Sequence, residues 1–273
     1  MKYNLAFKYR IYPNKEQELL INKTFGCVRF VYNTILYTAN KIYEETGKNK
    51  IITPASLKSE NQFLKEVDSL ALSNAQLNVK RSFTNFFQKR AKFPKFKSKK
   101  NNVKSYTTNC VNNSIRIEEN KYLVLPKLKR IKLKYHREIP KDYKIKSVTL
   151  TNSNGNYYVS ILTEFEKEIQ KNPSNDKVIG LDFSMSELFV SSENQRADYP
   201  RYFRMLEKKL KKLQKSLSRK VKFSKNWYKQ KMKISKLHEY IKNCRRDFLH
   251  KLSKKLSEEY NAVVVEDLNM KGM

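Results

Sequence analysis

Residues 3–12 alternate apolar and polar side chains and are rich in aromatic residues, a pattern that predicts a β-strand. Pro13 and Asn14 end this strand, and apolar residues at helical spacing then continue to about residue 90. The strand therefore has no candidate partner before residue 93. Because its backbone groups need hydrogen-bond partners, we expect it to pair with strands that follow the helices. Residues 14–92 would then form a helical bundle inserted into a sheet.

Short strand-type segments follow one another closely after Phe93. They lie at residues 105–108, 114–117, 122–125, 131–135, 144–151 and 157–164, and the run Asn154, Gly155, Asn156 predicts a hairpin between the last two. Short strands at this density predict a small β-barrel over residues 93–166, with residues 1–13 supplying its first strand. Residues 167–176 are polar, contain Pro173 and predict a linker.

A different pattern begins at Lys177. Residues 178–182 form a short apolar run, and residues 188–192 are a candidate hairpin partner for it. Residues 202–260 are helical and basic, and the break near residues 221–226 predicts two helices folded back on each other. The apolar run that begins at Ala262 favours a strand buried on both faces. The predicted fold class is therefore α+β and multidomain, with an α/β domain after the barrel that carries a long helical hairpin.

The formal net charge is +32, from 58 Lys and Arg residues against 26 acids. A charge that large repels itself in a compact protein, and we expect a polyanionic partner, with nucleic acid the leading candidate. An anionic membrane is the alternative, but the sequence has no run of about 18 apolar residues and no signal-peptide core. We therefore expect a cytoplasmic protein without a membrane partner. Cys27, Cys110 and Cys244 are too scattered to suggest a zinc site.

Two basic regions are candidates for binding nucleic acid. The tract FPKFKSKK and the residues just before it mix aromatic rings with cations, a combination suited to backbone binding and stacking. Its candidates are Arg90, Lys92, Lys95, Lys97, Lys99 and Lys100, and those of the long helices are Lys208, Lys212, Arg219, Lys220, Arg245 and Arg246. Arg29 and Asn33 share one helical face and are further candidates, whereas Tyr32 is expected to pack. A solvated basic surface is the alternative for both regions.

Asp182 and Glu266 each close an apolar strand. An acid in that position is costly unless it is paired, and a divalent cation is a common partner. Mg²⁺ prefers carboxylate oxygens and leaves room for a phosphate substrate. Alternatively, each acid faces solvent where its strand ends, and the residues alone leave both possibilities open. Asp267 would point to the opposite face if the strand continues.

Several stretches, in order along the chain, resemble the TnpB (OrfB) family of insertion-sequence-associated, RNA-guided DNA endonucleases, which are related to the type V CRISPR effectors. They are FKYRIYPNKEQ, FGCVRFVYN, SFTNFFQKRAKFPKFKSKK, VIGLDFSMSEL, LEKKLKKLQKSLSRK, CRRDFLHKLSKKL and VVVEDLNMKGM. The resemblance implies a wedge-type barrel interrupted by a helical recognition bundle, followed by a RuvC-like domain of the RNase H fold over residues 177–273. It also implies a guide RNA and a double-stranded DNA target as partners.

The same resemblance makes Asp182 and Glu266 the first and second catalytic carboxylates and ligands of Mg²⁺. They would meet at the tips of neighbouring strands inside a lysine-rich cleft. In the family, a zinc module with two CxxC pairs and a third catalytic Asp follow, whereas this sequence ends at Met273. We therefore expect a truncated RuvC-like domain without zinc, Mg²⁺ binding that is weak or absent, and no DNA cleavage by this polypeptide alone.

Three functions are compatible with these features. The first is an RNA-guided DNA-binding protein associated with insertion-sequence transposition. The second is a non-catalytic guided regulator that blocks transcription or transposition. The third is one part of a split nuclease, completed by a separate polypeptide that carries the missing part. A conventional cut-and-paste transposase would need a complete acid triad, and only two of the acids are present.

Overall fold

The computed structural model describes residues 1–100, 103–168, 177–184, 186–197 and 199–268. It divides the chain into two compact units, Met1–Glu168 (unit 1) and Ile169–Met273 (unit 2). The described residues form a mixed α/β fold with a curled sheet and five α-helices. None of the described helices combines the length and the apolar character needed to cross a bilayer.

Unit 1 is built from one large sheet and a group of helices. Its strands are β1 (Lys2–Tyr12), β2 (Val103–Asn109), β3 (Arg116–Glu118), β4 (Tyr122–Leu125), β5 (Lys129–Lys134), β6 (Lys144–Ser153) and β7 (Asn156–Glu166). Its helices are α1 (Lys15–Thr46), α2 (Pro54–Glu60) and α3 (Ser69–Phe87), with a 3-10 helix at Gln62–Lys65.

The seven strands of unit 1 form one antiparallel sheet in the order β2-β6-β7-β1-β5-β4-β3. The first strand, β1, lies inside the sheet: Lys2 pairs with Glu166 of β7, and Tyr12 pairs with Lys132 of β5. The predicted pairing of the first strand with strands that follow the helices is confirmed. Among the described residues no ladder joins β2 to β3, and closure of the sheet into a barrel stays a prediction.

Local signals fix both ends of α1. The Asn14 side chain accepts a hydrogen bond from the Gln17 backbone at 2.8 Å, and the Gln17 side chain accepts one from the Asn14 backbone at 3.0 Å. This capping box satisfies two amide groups that a helix start otherwise leaves unpaired. Gly47, with φ of 67°, ends the helix in the left-handed conformation that glycine adopts without steric cost. A buried stripe from Ile21 to Ala39 turns one face of α1 to the core.

A buried carboxylate links α3 to the sheet. Asp68 caps α3 by accepting a hydrogen bond from the Leu70 backbone at 3.0 Å, and it also accepts one from the Thr108 hydroxyl of β2. Nearby, Phe25 of α1 contacts Tyr106 of β2 edge to face, with 5.6 Å between ring centroids. Burial, and secondly the charge of Asp68, raises the pKa of Tyr106. The helices and the strands of unit 1 thus share one continuous apolar core.

Unit 2 contains a small sheet and two long helices. Its elements are β8 (Val178–Phe183), β9 (Phe189–Ser191), α4 (Tyr202–Ser218), α5 (Lys225–Glu259) and β10 (Ala262–Val265). The sheet order is β10-β8-β9, with β10 parallel and β9 antiparallel to β8. The two helices pack on each other around Leu210, Leu237 and Ile241. Two predictions for unit 2 are confirmed: the hairpin partner of the strand at residues 178–182, which is β9, and the pair of helices folded back on each other.

The prediction that the last strand is buried on both faces is wrong. Val263, Val264 and Val265 of β10 remain 41%, 59% and 66% exposed. Among the described residues β10 pairs only with β8, and its valine side chains stay largely exposed. An apolar run has the composition of a buried strand, but burial also requires packed layers on its faces, and the run itself does not provide them.

Candidate metal and nucleic-acid sites

The strand register brings Asp182 and Glu266 side by side. Val265 of β10 pairs with Leu181 of β8, and one further step along both parallel strands places Glu266 opposite Asp182. Adjacent strands lie about 5 Å apart, so the two acids are close neighbours across the sheet. Because side chains alternate between faces, Gly180 and Asp182 share a face with Val264 and Glu266.

The two acids line one cleft. Its volume is about 380 Å³, both carboxylates are exposed to it, and its remaining lining consists of Gly180, Leu181, Val190, Ser191, Ser192, Val264 and Val265. The expectation of a lysine-rich cleft is wrong for this lining, which contains no Lys or Arg among the described residues. Apart from the two acids, small and apolar residues at the three strands form its surface.

The chemistry of this cleft fits Mg²⁺. The site offers hard carboxylate oxygens from two residues, and Mg²⁺ is commonly held by one or two carboxylates while it keeps several waters and accepts a phosphate. Within the described part of the chain, no group of three or more His, Cys, Asp or Glu side chains could hold a metal ion. Asp182 and Glu266 would therefore be the protein ligands that these residues contribute. Asp267, the next residue, is exposed.

The basic tract of unit 1 is anchored to the helices. Phe93 packs edge to face on Phe83 and Phe86, with centroid distances of 5.9 and 5.2 Å. Farther along, the Lys97 backbone donates to the Asn33 side chain at 2.8 Å and accepts from it at 3.1 Å. The remaining predicted cations of this tract are exposed: Arg90, Lys92, Lys95, Lys99 and Lys100. The tract therefore presents its charges from a fixed path over α1.

Tyr32 supports the same segment. Its ring is buried, in agreement with the expected packing role, and the Lys97 ammonium lies 4.1 Å from the ring centroid. A cation over an aromatic face is attracted by the ring quadrupole. The loss of water around this ammonium lowers the pKa of Lys97, although much of the side chain remains exposed.

Three cations surround a small cavity beside this contact. Arg29, Lys97 and Lys104 line a space of about 190 Å³ whose floor includes Phe25 and Val28. Sequence analysis missed Lys104 because a single lysine on a strand carries no signal, and only the fold brings it to Arg29. Both polar atoms of the Asn33 side chain bond to protein backbone, which gives Asn33 a positioning role. Its direct contact with nucleic acid stays a prediction.

The basic candidates of unit 2 lie on α4, on α5 and in the connection between these helices. Lys208, Lys212 and Arg219 are exposed, and Lys220 is half-buried. Arg245 and Arg246 are exposed but oriented by neighbours: Arg245 donates to the Tyr199 hydroxyl at 2.8 Å, and Arg246 donates to the His250 ring at 3.2 Å.

Arg245 also lines a second cavity of unit 2, of about 310 Å³. Arg201 and Arg204 join it there, beside Tyr199 and Phe203. Sequence analysis did not select these two arginines. The available signal was the pair of arginines flanking two aromatic residues in PRYFR, directly before and within the start of α4.

Comparisons with known proteins place the chain in a family. A family model described as "Probable transposase" matches residues 160–273, and one described as "Helix-turn-helix domain" matches residues 1–48. A protein of Escherichia coli (strain K12), named "Putative RNA-guided DNA endonuclease InsQ", is 36% identical over 284 residues, which cover 100% of this chain and 68% of that protein. The chain belongs to the TnpB/OrfB family. A second relative, the "Putative RNA-guided DNA endonuclease" of Streptomyces pristinaespiralis, is 33% identical over 277 residues, 98% of this chain and 68% of that protein.

A solved structure agrees with the TnpB/OrfB assignment at the level of fold. The complex of Cas12f1 with sgRNA and target DNA contains a chain that superposes with a TM-score of 0.54, covering 100% of this chain and 82% of that one, at 12% identity. The match to a helix-turn-helix model has a different local structure here. In this TnpB/OrfB protein, residues 1–48 form strand β1 and the single continuous helix α1, rather than two helices joined by a turn.

Proposed function

We propose that this protein binds DNA under the direction of a guide RNA, as a TnpB-type protein associated with insertion-sequence transposition. The observation that carries this proposal is the similarity of the whole chain to proteins named as RNA-guided DNA endonucleases. The charge of +32 and the exposed cations of both units support it, because a guide and its target are polyanions. In such proteins base pairing reads the sequence, while the protein binds the backbone and the shape of the duplex.

The finer fold assignment is part of the same proposal. Unit 1 would be a wedge-type barrel that carries a helical recognition bundle at residues 14–92. Unit 2 would be the RuvC-like part, of RNase H fold, at residues 177–273. The parallel neighbours β8 and β10, each with an acid at its C-terminal end, support the second assignment.

Asp182 and Glu266 would hold Mg²⁺ in the cleft of unit 2. A bound Mg²⁺ would act there as a Lewis acid on a phosphodiester oxygen. The two carboxylates would contribute the negative charge that retains the cation, and the pairing of Val265 with Leu181 just before them supports their proximity. The small residues Gly180 and Ser192 also line this cleft.

A non-catalytic guided regulator is the second candidate function. It is favoured by one observation: the described residues bring two carboxylates to the cleft and no third Asp, Glu, His or Cys side chain. Incubation of the protein with its guide RNA, target DNA and Mg²⁺ separates the candidates. Specific cutting would support an endonuclease, and binding without cutting would support the regulator. Cutting that appears only after a second host polypeptide is added would support a split nuclease.

The guided-binding proposal is tested by the RNA that accompanies the protein. We expect the protein purified from its host, after a high-salt wash, to retain a defined transcript that sequencing identifies. That complex should bind DNA complementary to one segment of the transcript and should not bind a scrambled sequence. A random mixture of host RNA, or equal affinity for both DNA sequences, would leave only generic polyanion binding and would overturn the proposal.

The metal proposal has an internal control at residue 267. Mn²⁺ replaces Mg²⁺ as a paramagnetic probe, and its binding is followed by the loss of the free-ion resonance signal. We expect Asp182→Asn and Glu266→Gln each to weaken Mn²⁺ binding at least about tenfold, because each removes one of two charged ligands. Asp267→Asn removes an equal charge one residue away, at a position that would face away from the cleft if the strand continued. This variant should bind Mn²⁺ as the native protein does. Equal losses in all three variants would show a diffuse electrostatic effect and no site.

A further inference from the structure

An exposed aromatic cluster lies where α4 and α5 are joined. Phe223 is 65% exposed, and its ring centroid lies 5.6 Å from that of Trp227, which in turn lies 5.1 Å from that of Tyr228. We call these three residues the aromatic tip. The Ser224 hydroxyl accepts a hydrogen bond from the Trp227 backbone at 3.1 Å and caps α5. The tip is therefore an ordered feature at the start of a long helix.

The backbone at Phe223 is strained. It has φ of 68°, inside a turn closed by a hydrogen bond from the Ser224 amide to the Val221 carbonyl at 3.1 Å. Glycine or asparagine is usual at this position of such a turn, because a larger side chain crowds the backbone. Among the described non-glycine residues with positive φ, Phe223 is the one with an aromatic side chain. A turn that served only to connect two helices would gain stability from glycine here, so the ring itself needs an explanation.

The stretch of sequence that contains the aromatic tip carries only positive charge. Between Glu207 and Glu239 the sequence contains no acid and thirteen Lys or Arg residues. Two of them flank the rings directly: the Lys222 ammonium lies 5.4 Å from the Phe223 centroid, and the Lys231 ammonium lies 5.1 Å from the Trp227 centroid. An apolar protein partner would leave these charges without counterions. A polyanion that also offers flat apolar rings satisfies both features of the surface.

We propose that the aromatic tip is a stacking site for an unpaired nucleobase of a single-stranded nucleic acid. The base would stack on the exposed ring of Phe223, beside Trp227, and Lys222 and Lys231 would contact the flanking phosphates. Stacking of this kind tolerates any base, since every base has a π-face. The inference rests on the proposed function, because guided recognition supplies two sources of unpaired bases, the RNA and a displaced DNA strand.

Trp227 provides the measurement. It is the single tryptophan of the chain, and its emission therefore reports on the tip alone. The protein, freed of RNA by nuclease digestion and then repurified, is titrated with an oligouridine RNA, an oligothymidine DNA and inorganic polyphosphate of the same charge. We expect both oligonucleotides to quench the emission and polyphosphate to leave it nearly unchanged. Stronger quenching by one oligonucleotide would identify the natural source. Equal quenching by polyphosphate, or none by either oligonucleotide, would overturn the inference.

The turn offers a variant that does not threaten folding. Phe223→Gly removes the ring and relieves the left-handed strain, so the hairpin should be at least as stable as before. We expect it to weaken binding of the preferred oligonucleotide about tenfold, the effect of losing one stacked base. Tyr240→Ala removes another exposed aromatic ring from α5 and should leave the affinity unchanged. Native affinity in Phe223→Gly would overturn the inference.

The RNA that co-purifies with the protein separates this inference from the proposed function. If the Phe223→Gly variant retains the defined host transcript but binds the oligonucleotide as tightly as the native protein, the stacking site is refuted and guided binding is not. If the protein retains only random RNA but oligonucleotides still quench its emission, guided binding is refuted and the stacking site is supported.

Discussion

Each of the two sheets contains a strand that is distant in sequence from its partners, β1 in unit 1 and β10 in unit 2. Only β1 has buried side chains. In unit 1, β1 lies between β7 and β5, and its residues Phe7, Tyr9 and Ile11 are buried although four of its eleven residues are Lys, Asn or Arg. In unit 2, β10 consists only of Ala and Val and is exposed along its whole length. The more apolar strand is thus the more exposed one. Burial follows from the layers around a strand and not from its composition.

The cores of the two units explain the difference. In unit 1, helix residues and strand residues belong to one continuous cluster of buried side chains. In unit 2, Leu210, Leu237 and Ile241 hold α4 to α5, while the buried Ile179 of β8 lies outside that cluster. Unit 2 therefore buries less apolar area, and less hydrophobic stabilisation is available there to offset the conformational entropy lost on folding. We expect a nucleic-acid partner to stabilise unit 2 more than unit 1.

The largest expected effect is a difference in hydrogen exchange between β1 and β10. The β1 amides lie inside a sheet that opens only when unit 1 unfolds, whereas β10 is an uncovered edge strand that can separate from β8 locally. We expect β1 amides to exchange more than about a thousandfold more slowly than β10 amides in the RNA-free protein, measured by mass spectrometry of peptides. Equal protection in both strands would mean that β10 is covered in solution, and the comparison between the sheets would fail.

Sequence patterns predicted the parts of this molecule that depend on local periodicity. The strand at residues 3–12, the two folded-back helices and the apolar strands near Asp182 and Glu266 each follow a short local pattern. The pairing of the first strand followed from the lack of a nearer partner, whereas the pairing of the two acid-bearing strands was implied by the family resemblance. Exposure of β10 was not predictable, because burial depends on what packs against a strand. The contact between Asn33 and Lys97 was also not predictable, since a side-chain bond to backbone 64 residues away leaves no periodic trace.

A core substitution in each sheet tests the comparison energetically. Ile161 of β7 is fully buried, and Ile161→Ala should lower the free energy of unfolding of unit 1 by about 2–5 kcal/mol, through lost burial and the cavity left behind. Val264→Ala in the exposed β10 should change stability by less than about 0.5 kcal/mol. Chemical denaturation of both variants, followed by circular dichroism, measures the difference. A loss of more than about 1.5 kcal/mol in Val264→Ala would show that β10 is packed after all.

The smallest expected effect concerns Asn33 of α1, which holds the basic tract of unit 1 by two hydrogen bonds to the Lys97 backbone. Asn33→Ala removes both bonds to the Lys97 backbone and should lower the free energy of unfolding by about 1 kcal/mol, because exposed hydrogen bonds contribute modestly. It should also weaken RNA binding, since the basic tract would lose its fixed path over α1. Lys99→Gln is the matched control: it removes one exposed charge of the same tract, keeps the bonds of Asn33 to the Lys97 backbone, and should weaken binding without the loss of stability. If Asn33→Ala left RNA affinity unchanged while Lys99→Gln reduced it, the charge of the tract alone would matter, and Asn33 would have no positioning role. If both variants lost affinity and only Asn33→Ala lost stability, RNA binding would depend both on the charge of the basic tract and on its anchoring to α1 by Asn33.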